Sequence, residues 1–129
     1  MKRHHLAINV LVCAVLLSVS AGCAFVVGGS AVAAGTYVYI EGQTLGTYET
    51  DVPNAFRASV AACEELGIPV IKERKAETDG EVQGKYNGER VVITMKQVTD
   101  TQTEISVRVG LIGNEASARR IHGVIQNKL

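Results

Sequence analysis

From Leu6 to Ile40 the chain runs through 35 residues without one charged side chain, although charged residues make up 20% of its 129 positions. A small water-facing domain has neither the interior to bury such a stretch nor the means to expose it, so the segment belongs to a membrane or to an export signal. Met1-Lys2-Arg3-His4-His5 is a cationic start, Leu6 to Leu17 (LAINVLVCAVLL) an apolar run, and Ser18-Val19-Ser20-Ala21-Gly22 a small-residue stretch. Positive flank, short apolar core and small residues are the three parts of a secretory signal peptide. A membrane-spanning helix is the competing reading, since 29 uncharged residues from Leu6 to Ala34 exceed the roughly 20 a crossing needs. Gly28, Gly29 and Gly35 argue against a long helix, because each Gly costs about 1 kcal/mol relative to Ala. Secretion without any anchor is the third reading.

Cys23 follows the small-residue stretch directly. Ser20-Ala21-Gly22-Cys23 resembles the lipobox of bacterial lipoproteins, with Ser20 standing where a Leu is usual. That resemblance implies cleavage before Cys23, a diacylglycerol on its sulfur, an acylated amine (palmitate chemistry), and attachment to a membrane through the lipid on Cys23. The expected organisation is then a signal peptide at 1–22, a lipidated cysteine and small-residue tether at 23–35, and a domain at 36–129. Of the three cysteines, Cys13 would leave with the signal and Cys23 would carry lipid, so Cys63 would remain as a lone thiol. Without lipidation, a Cys23–Cys63 disulfide becomes an alternative. A chain from Cys23 onward has 11 basic and 13 acidic residues, a formal net charge of −2. Lacking a basic surplus, it is not expected to bind nucleic acid, and no positive field holds it to anionic lipid.

Beyond the tether the pattern becomes that of a folded domain. Thr36 to Thr50 is rich in Tyr, Thr and Val and slips register near Gly42 and Gly46, predicting one strand with a bulge or two short strands. Asp51 caps a helix with Pro53 in its first turn, a stripe of Val52, Phe56, Val60 and Cys63, an extension to Leu66, and a stop at Gly67. Ile68 to Lys75 begins a further strand, with Pro69 demoting its first residues to an edge or entry. Thr78-Asp79-Gly80 is expected to turn, Glu81 to Tyr86 to extend, and Asn87-Gly88 to close a two-residue hairpin into Arg90 to Val98. Asp100-Thr101-Gln102 turns into Thr103 to Val109, where Ile105, Val107 and Val109 alternate with polar residues. A loop, Gly110 to Gly113, leads to Asn114 as the cap of a last helix with the stripe Ala118, Ile121, Ile125 and Leu129. The expected fold is α+β: a two-layer sandwich, mostly antiparallel, in the order strand-helix-strand-strand-strand-helix. Both helices would lie on one sheet face, with the other face wet.

The signal, the Gly/Ala tether, GTYVYIEGQTLGTYETD, the helix ending EELGIPV, and VRVGLIGNEASARRIHGVI together resemble a family of small uncharacterised bacterial lipoproteins. Val109 to Glu115 running into the last helix is the most telling piece. The resemblance implies an envelope location and carries over no catalytic residue. Ala24 is not the Asp that holds many enteric lipoproteins at the inner membrane, so it also implies the periplasmic face of the outer membrane.

Chemistry-bearing residues are few. His4 and His5 would leave with the signal, so His122 would be the only imidazole; one His and one Cys make no zinc site without carboxylates. Cys63 and His122 are the one candidate nucleophile–base pair, but Cys63 lies on an apolar stripe, where a thiol is ordinarily inert core. His122 is read at the edge of its stripe. Gly28-Gly29-Ser30 lacks the Lys of a phosphate-binding loop, and no G-x-S-x-G motif occurs. No catalytic, metal-binding or cofactor-binding residue is therefore expected, and no cofactor. Tyr37 and Tyr39 share a strand face beside the tether and are read as packing over the sheet, or as contacting headgroups or a partner. Arg119-Arg120 is read as a solvated basic pair, or as a partner or headgroup contact. The expectation for function is a non-enzymatic envelope lipoprotein that meets another envelope protein. A small-ligand or lipid-binding module with a pocket between sheet and helices is the alternative.

Overall fold

The computed structural model describes residues 37–129. The expected signal peptide, tether and lipidated Cys23 lie outside the described residues. The domain is a two-layer α+β sandwich: one six-stranded, wholly antiparallel sheet with two helices on one face. In chain order the elements are β1 (Val38–Ile40), β2 (Gln43–Tyr48), α1 (Val52–Glu65), β3 (Val70–Lys75), β4 (Asp79–Tyr86), β5 (Glu89–Gln97), β6 (Thr103–Val109) and α2 (Glu115–Lys128). Across the sheet the order is β1-β2-β6-β5-β4-β3. Strands β3 to β6 form a meander, and α1 carries the chain over the sheet from β2 to the far edge.

The expected order is one strand short between the helices, where four strands stand instead of three. The Pro69-led segment is a full edge strand, paired with β4 from Val70↔Gly84 to Lys75↔Gly80. Pro69 precedes the ladder and takes nothing from it. At the N-terminal edge the choice between a bulge and two strands falls to two strands. Glu41 (φ 51°) and Gly42 (φ 81°) make the two-residue turn between β1 and β2, both in the left-handed region. Asn87 (φ 50°) and Gly88 (φ 81°) do the same between β4 and β5, as the Asn-Gly dipeptide predicts. The turn expected at Thr78–Gly80 lies earlier, with the Ala76 amide bonding to the Asp79 carbonyl at 2.9 Å. Gly80 belongs to β4 instead. A Cβ there would lie 3.0 Å from Met95 Cγ and 3.3 Å from Phe56, so its bare backbone makes room for both side chains.

Helix α1 starts where the Asp51 carboxylate accepts the Asn54 amide at 2.8 Å, with Pro53 in the first turn. It stops in a Schellman turn: the Gly67 amide bonds to the Glu64 carbonyl at 3.2 Å and the Ile68 amide to the Cys63 carbonyl at 2.8 Å. Its buried stripe differs from the expected one. Ala55, Ala58, Ser59 and Ala62 are buried beside Val52 and Cys63, while Phe56 and Val60 pack at the margin. Small side chains let α1 settle close against the sheet and against α2, so the bulky residues turn outward. Helix α2 buries Ala118, Ile121 and Ile125, but Leu129 is exposed. Facing them, Val91, Ile93 and Met95 of β5 and Ile105, Val107 and Val109 of β6 complete the core. The opposite sheet face carries Gln43, Gln83, Arg90, Thr94, Ser106 and Arg108, and it stays open.

Candidate functional site

Two places in the domain concentrate polar chemistry. The first lies between α2 and the β1–β2 edge. His122 is fully buried, not at the margin of its helix as its position beside Ile121 suggests. Its Nε2 lies 2.7 Å from the Thr44 carbonyl and its Nδ1 lies 2.9 Å from the Tyr48 hydroxyl. A carbonyl only accepts, so Nε2 carries the proton and Nδ1 accepts from Tyr48. Tyr37 stacks on the imidazole at a centroid distance of 4.6 Å and donates to Gln126 Oε1 at 3.0 Å. Burial is the main reason the imidazole is pushed down to about 4; the Thr44 carbonyl opposes that shift and the nearby Arg119 charge adds to it. Burial also drives the Tyr48 phenol well above its usual range, which keeps it a proton donor. Gly46 beneath makes the arrangement fit, since a Cβ there would lie 3.0 Å from the Tyr48 hydroxyl and 3.2 Å from the Tyr37 ring.

This cluster is a packed polar core that holds α2 onto β2. Both imidazole nitrogens are occupied, so no nucleophile–base pair with Cys63 forms. Cys63 is itself buried, and burial followed by the charges of Glu64 and Glu73 pushes its thiol up to about 11. Among the described residues no group of three or more His, Cys, Asp and Glu is placed to hold a metal ion. None of their helices is long and apolar enough to cross a membrane.

The structure brings together two of the four described candidate contact residues. Arg119 pairs with Glu115 at 2.8 Å and lies 6.0 Å from the centre of the Tyr37 ring. Tyr39, 37% exposed on β1, and the exposed Arg120 make no side-chain hydrogen bond or ion pair among the described residues. Cys23 lies outside the described residues.

The second place is the open sheet face, which the sequence pattern describes only as wet. A groove of about 590 Å³ there is lined by Gln43, Arg90, Val92, Ser106, Arg108 and Leu111. Ser106 Oγ donates to Gln43 Oε1 at 2.6 Å, Arg90 Nη2 to Gln83 Oε1 at 2.6 Å, and Arg108 Nη2 to the Glu41 carbonyl at 2.5 Å. Both guanidiniums are therefore held by neutral acceptors, with no carboxylate within 4.0 Å, whereas Arg74, Arg119 and Lys128 are ion-paired. Strand alternation could have located this pair: Arg90 directly precedes the core residue Val91, Arg108 stands between Val107 and Val109, and β5 neighbours β6.

Helices on one face of an antiparallel sheet, a buried histidine cluster that fastens α2 to it and an open face bearing Arg90 and Arg108 define a small α+β module. A family model described as "Protein of unknown function (DUF3568)" matches residues 6–128, and the chain belongs to that family. No curated protein matches it.

Proposed function

We propose that this chain is a non-enzymatic bacterial envelope lipoprotein, held to a membrane by lipid on Cys23 and acting as an interaction module for another envelope protein. The observation that carries the reading is Ser20-Ala21-Gly22-Cys23 placed after a cationic start and an uncharged run. Two or three acyl chains suffice for stable anchoring, so a module with no basic surplus still remains at the surface. Ala24 after the cysteine favours the outer membrane, with the domain in the periplasm. The burial of Cys63 and of His122 supports a role without catalysis, since both candidate reactive groups serve the core.

The test is the intact mass of the protein taken from its native membrane, beside a Cys23→Ala variant. The expected chain begins at Cys23 with added acyl mass, and the variant loses both the mass and the membrane. An unprocessed chain beginning at Met1 overturns the reading in favour of a membrane-spanning helix.

The second reading, a small-ligand or lipid-binding module, draws on the groove over the open sheet face. The space between sheet and helices, where the sequence pattern would put such a pocket, is instead filled by the core around Ile93, Ile105 and Ile121.

A further inference from the structure

The loop between β6 and α2 presents Leu111 at 95% and Ile112 at 88% exposure. Such exposure of two adjacent aliphatic residues is costly in water unless something covers them. The loop is also firmly held. The Gly110 amide bonds to the Arg90 carbonyl at 2.8 Å, and the Asn114 amide bonds to the Val109 carbonyl at 2.8 Å. Gly113 packs backbone to backbone on Gly42, so that a Cβ on Gly42 would lie 2.5 Å from the Ile112 carbonyl oxygen. The tip is therefore a built protrusion.

Beside it stand Arg90 and Arg108, two guanidiniums held by the neutral acceptors Gln83 and the Glu41 carbonyl. Arg90, Arg108 and Leu111 line one groove, with Glu89 at its rim and within ion-pair distance of neither arginine. On the neighbouring edge strand, Val38 and Ile40 are 51% and 49% exposed. In chain order that strand is the first described element after Cys23.

We propose that this corner is where the domain rests on a phospholipid bilayer: Leu111 and Ile112 enter the headgroup–acyl boundary, and Arg90 and Arg108 take lipid phosphates. The proposal rests on the reading of the chain as membrane-anchored. Charge complementarity commits it to a bilayer, because a guanidinium fork matches phosphate oxygens bidentately and an apolar protrusion beside a groove with two cations matches the boundary where phosphates overlie acyl chains. Two aliphatic tips and two cations do not hold a protein to a membrane unaided. A tether that keeps the domain within reach raises the local concentration enough for a weak contact to persist.

The chain contains no Trp, so a single introduced indole reports on its own position. The experiment uses full-length protein purified from bacterial membranes and reconstituted into vesicles of phosphatidylcholine and phosphatidylglycerol with brominated acyl chains. Leu111→Trp is compared with Glu77→Trp, in the exposed turn at the opposite end of the sheet. Flotation with the vesicles reads the anchor, and bromine quenching reads the contact. The expected result is flotation of both variants, blue-shifted emission at 111, and quenching there several-fold above that at 77. Adding Arg90→Gln and Arg108→Gln to Leu111→Trp should reduce the quenching without abolishing flotation.

Flotation with equal quenching at 111 and 77 overturns the inference and leaves the anchored reading intact. A blue shift at 111 without quenching also overturns it, by showing the tip covered by protein, a second copy included. An emission change at 111 on adding inorganic phosphate without vesicles overturns it in favour of a soluble anion. A chain that does not float overturns the anchored reading and the inference with it.

Discussion

His122 shows how one residue's surroundings set its chemistry. In the unfolded chain an imidazole titrates near its ordinary value of about 6.5. In the fold, burial drives it to about 4. The native state thus binds fewer protons between those values, and stability must fall as pH falls through that window. The loss begins below about pH 6.5 and totals on the order of 3 kcal/mol by pH 4. Urea midpoints measured from pH 7.5 to pH 4 check this: wild type should lose stability over the window, while His122→Gln should start less stable and vary less with pH. Thr44 offers the opposite kind of test. Its carbonyl is used by His122, but its hydroxyl is buried without a partner. An unsatisfied buried hydroxyl costs free energy, so Thr44→Val should raise stability by about 1 kcal/mol in the same assay.

At the scale of elements, the terminators bear energy that hydrophobic pattern alone does not describe. Asp51→Ala removes the carboxylate that accepts the Asn54 amide and should cost about 1 kcal/mol, read as a lower denaturant midpoint with an unchanged slope. The loop before α2 is less forgiving. Gly113 has φ 100°, and a Cβ there would land on the Gly42 carbonyl. Gly113→Ala should therefore cost more than 2 kcal/mol, roughly the joint cost of backbone strain and of displacing the β1–β2 turn. Thermal unfolding would check it, and a variant as stable as wild type would show that the two loops do not touch. The caps, Schellman stop, Asn-Gly hairpin and clean alternation of β6 were legible in the chain because each depends on neighbours within a few residues. The buried stripe of α1 was not. Phe56 and Val60 are the bulkier apolar choices, yet Ala55, Ser59 and Ala62 are buried, because close approach to two neighbours rewards small size.

For the whole molecule the vulnerable features are the two sheet edges. β3 is exposed along nearly all its length, and Lys72 and Arg74 stand on it as charges that a second strand would have to bury. Replacing both by Thr should leave the monomer's unfolding midpoint within about 0.5 kcal/mol. It should also produce concentration-dependent association by light scattering. The opposite edge, β1, carries exposed Val38 and Ile40 without charges.

Local signals by themselves determined the α+β class and nearly every strand and helix, since these follow from periods of two and 3.6 residues and from turn and cap residues. Tertiary structure alone decided that His122 is buried between Tyr37 and Tyr48, that Gly80 and Gly46 make room for side chains brought from elsewhere, and that Arg90 and Arg108 share one groove with Leu111. Each of these joins residues that are distant in the chain. His122 and Thr44 stand 78 positions apart, and nothing in the residues flanking either one encodes the other. The antiparallel pairing of β2 and β6, and the packing of α2 across them, supply that information.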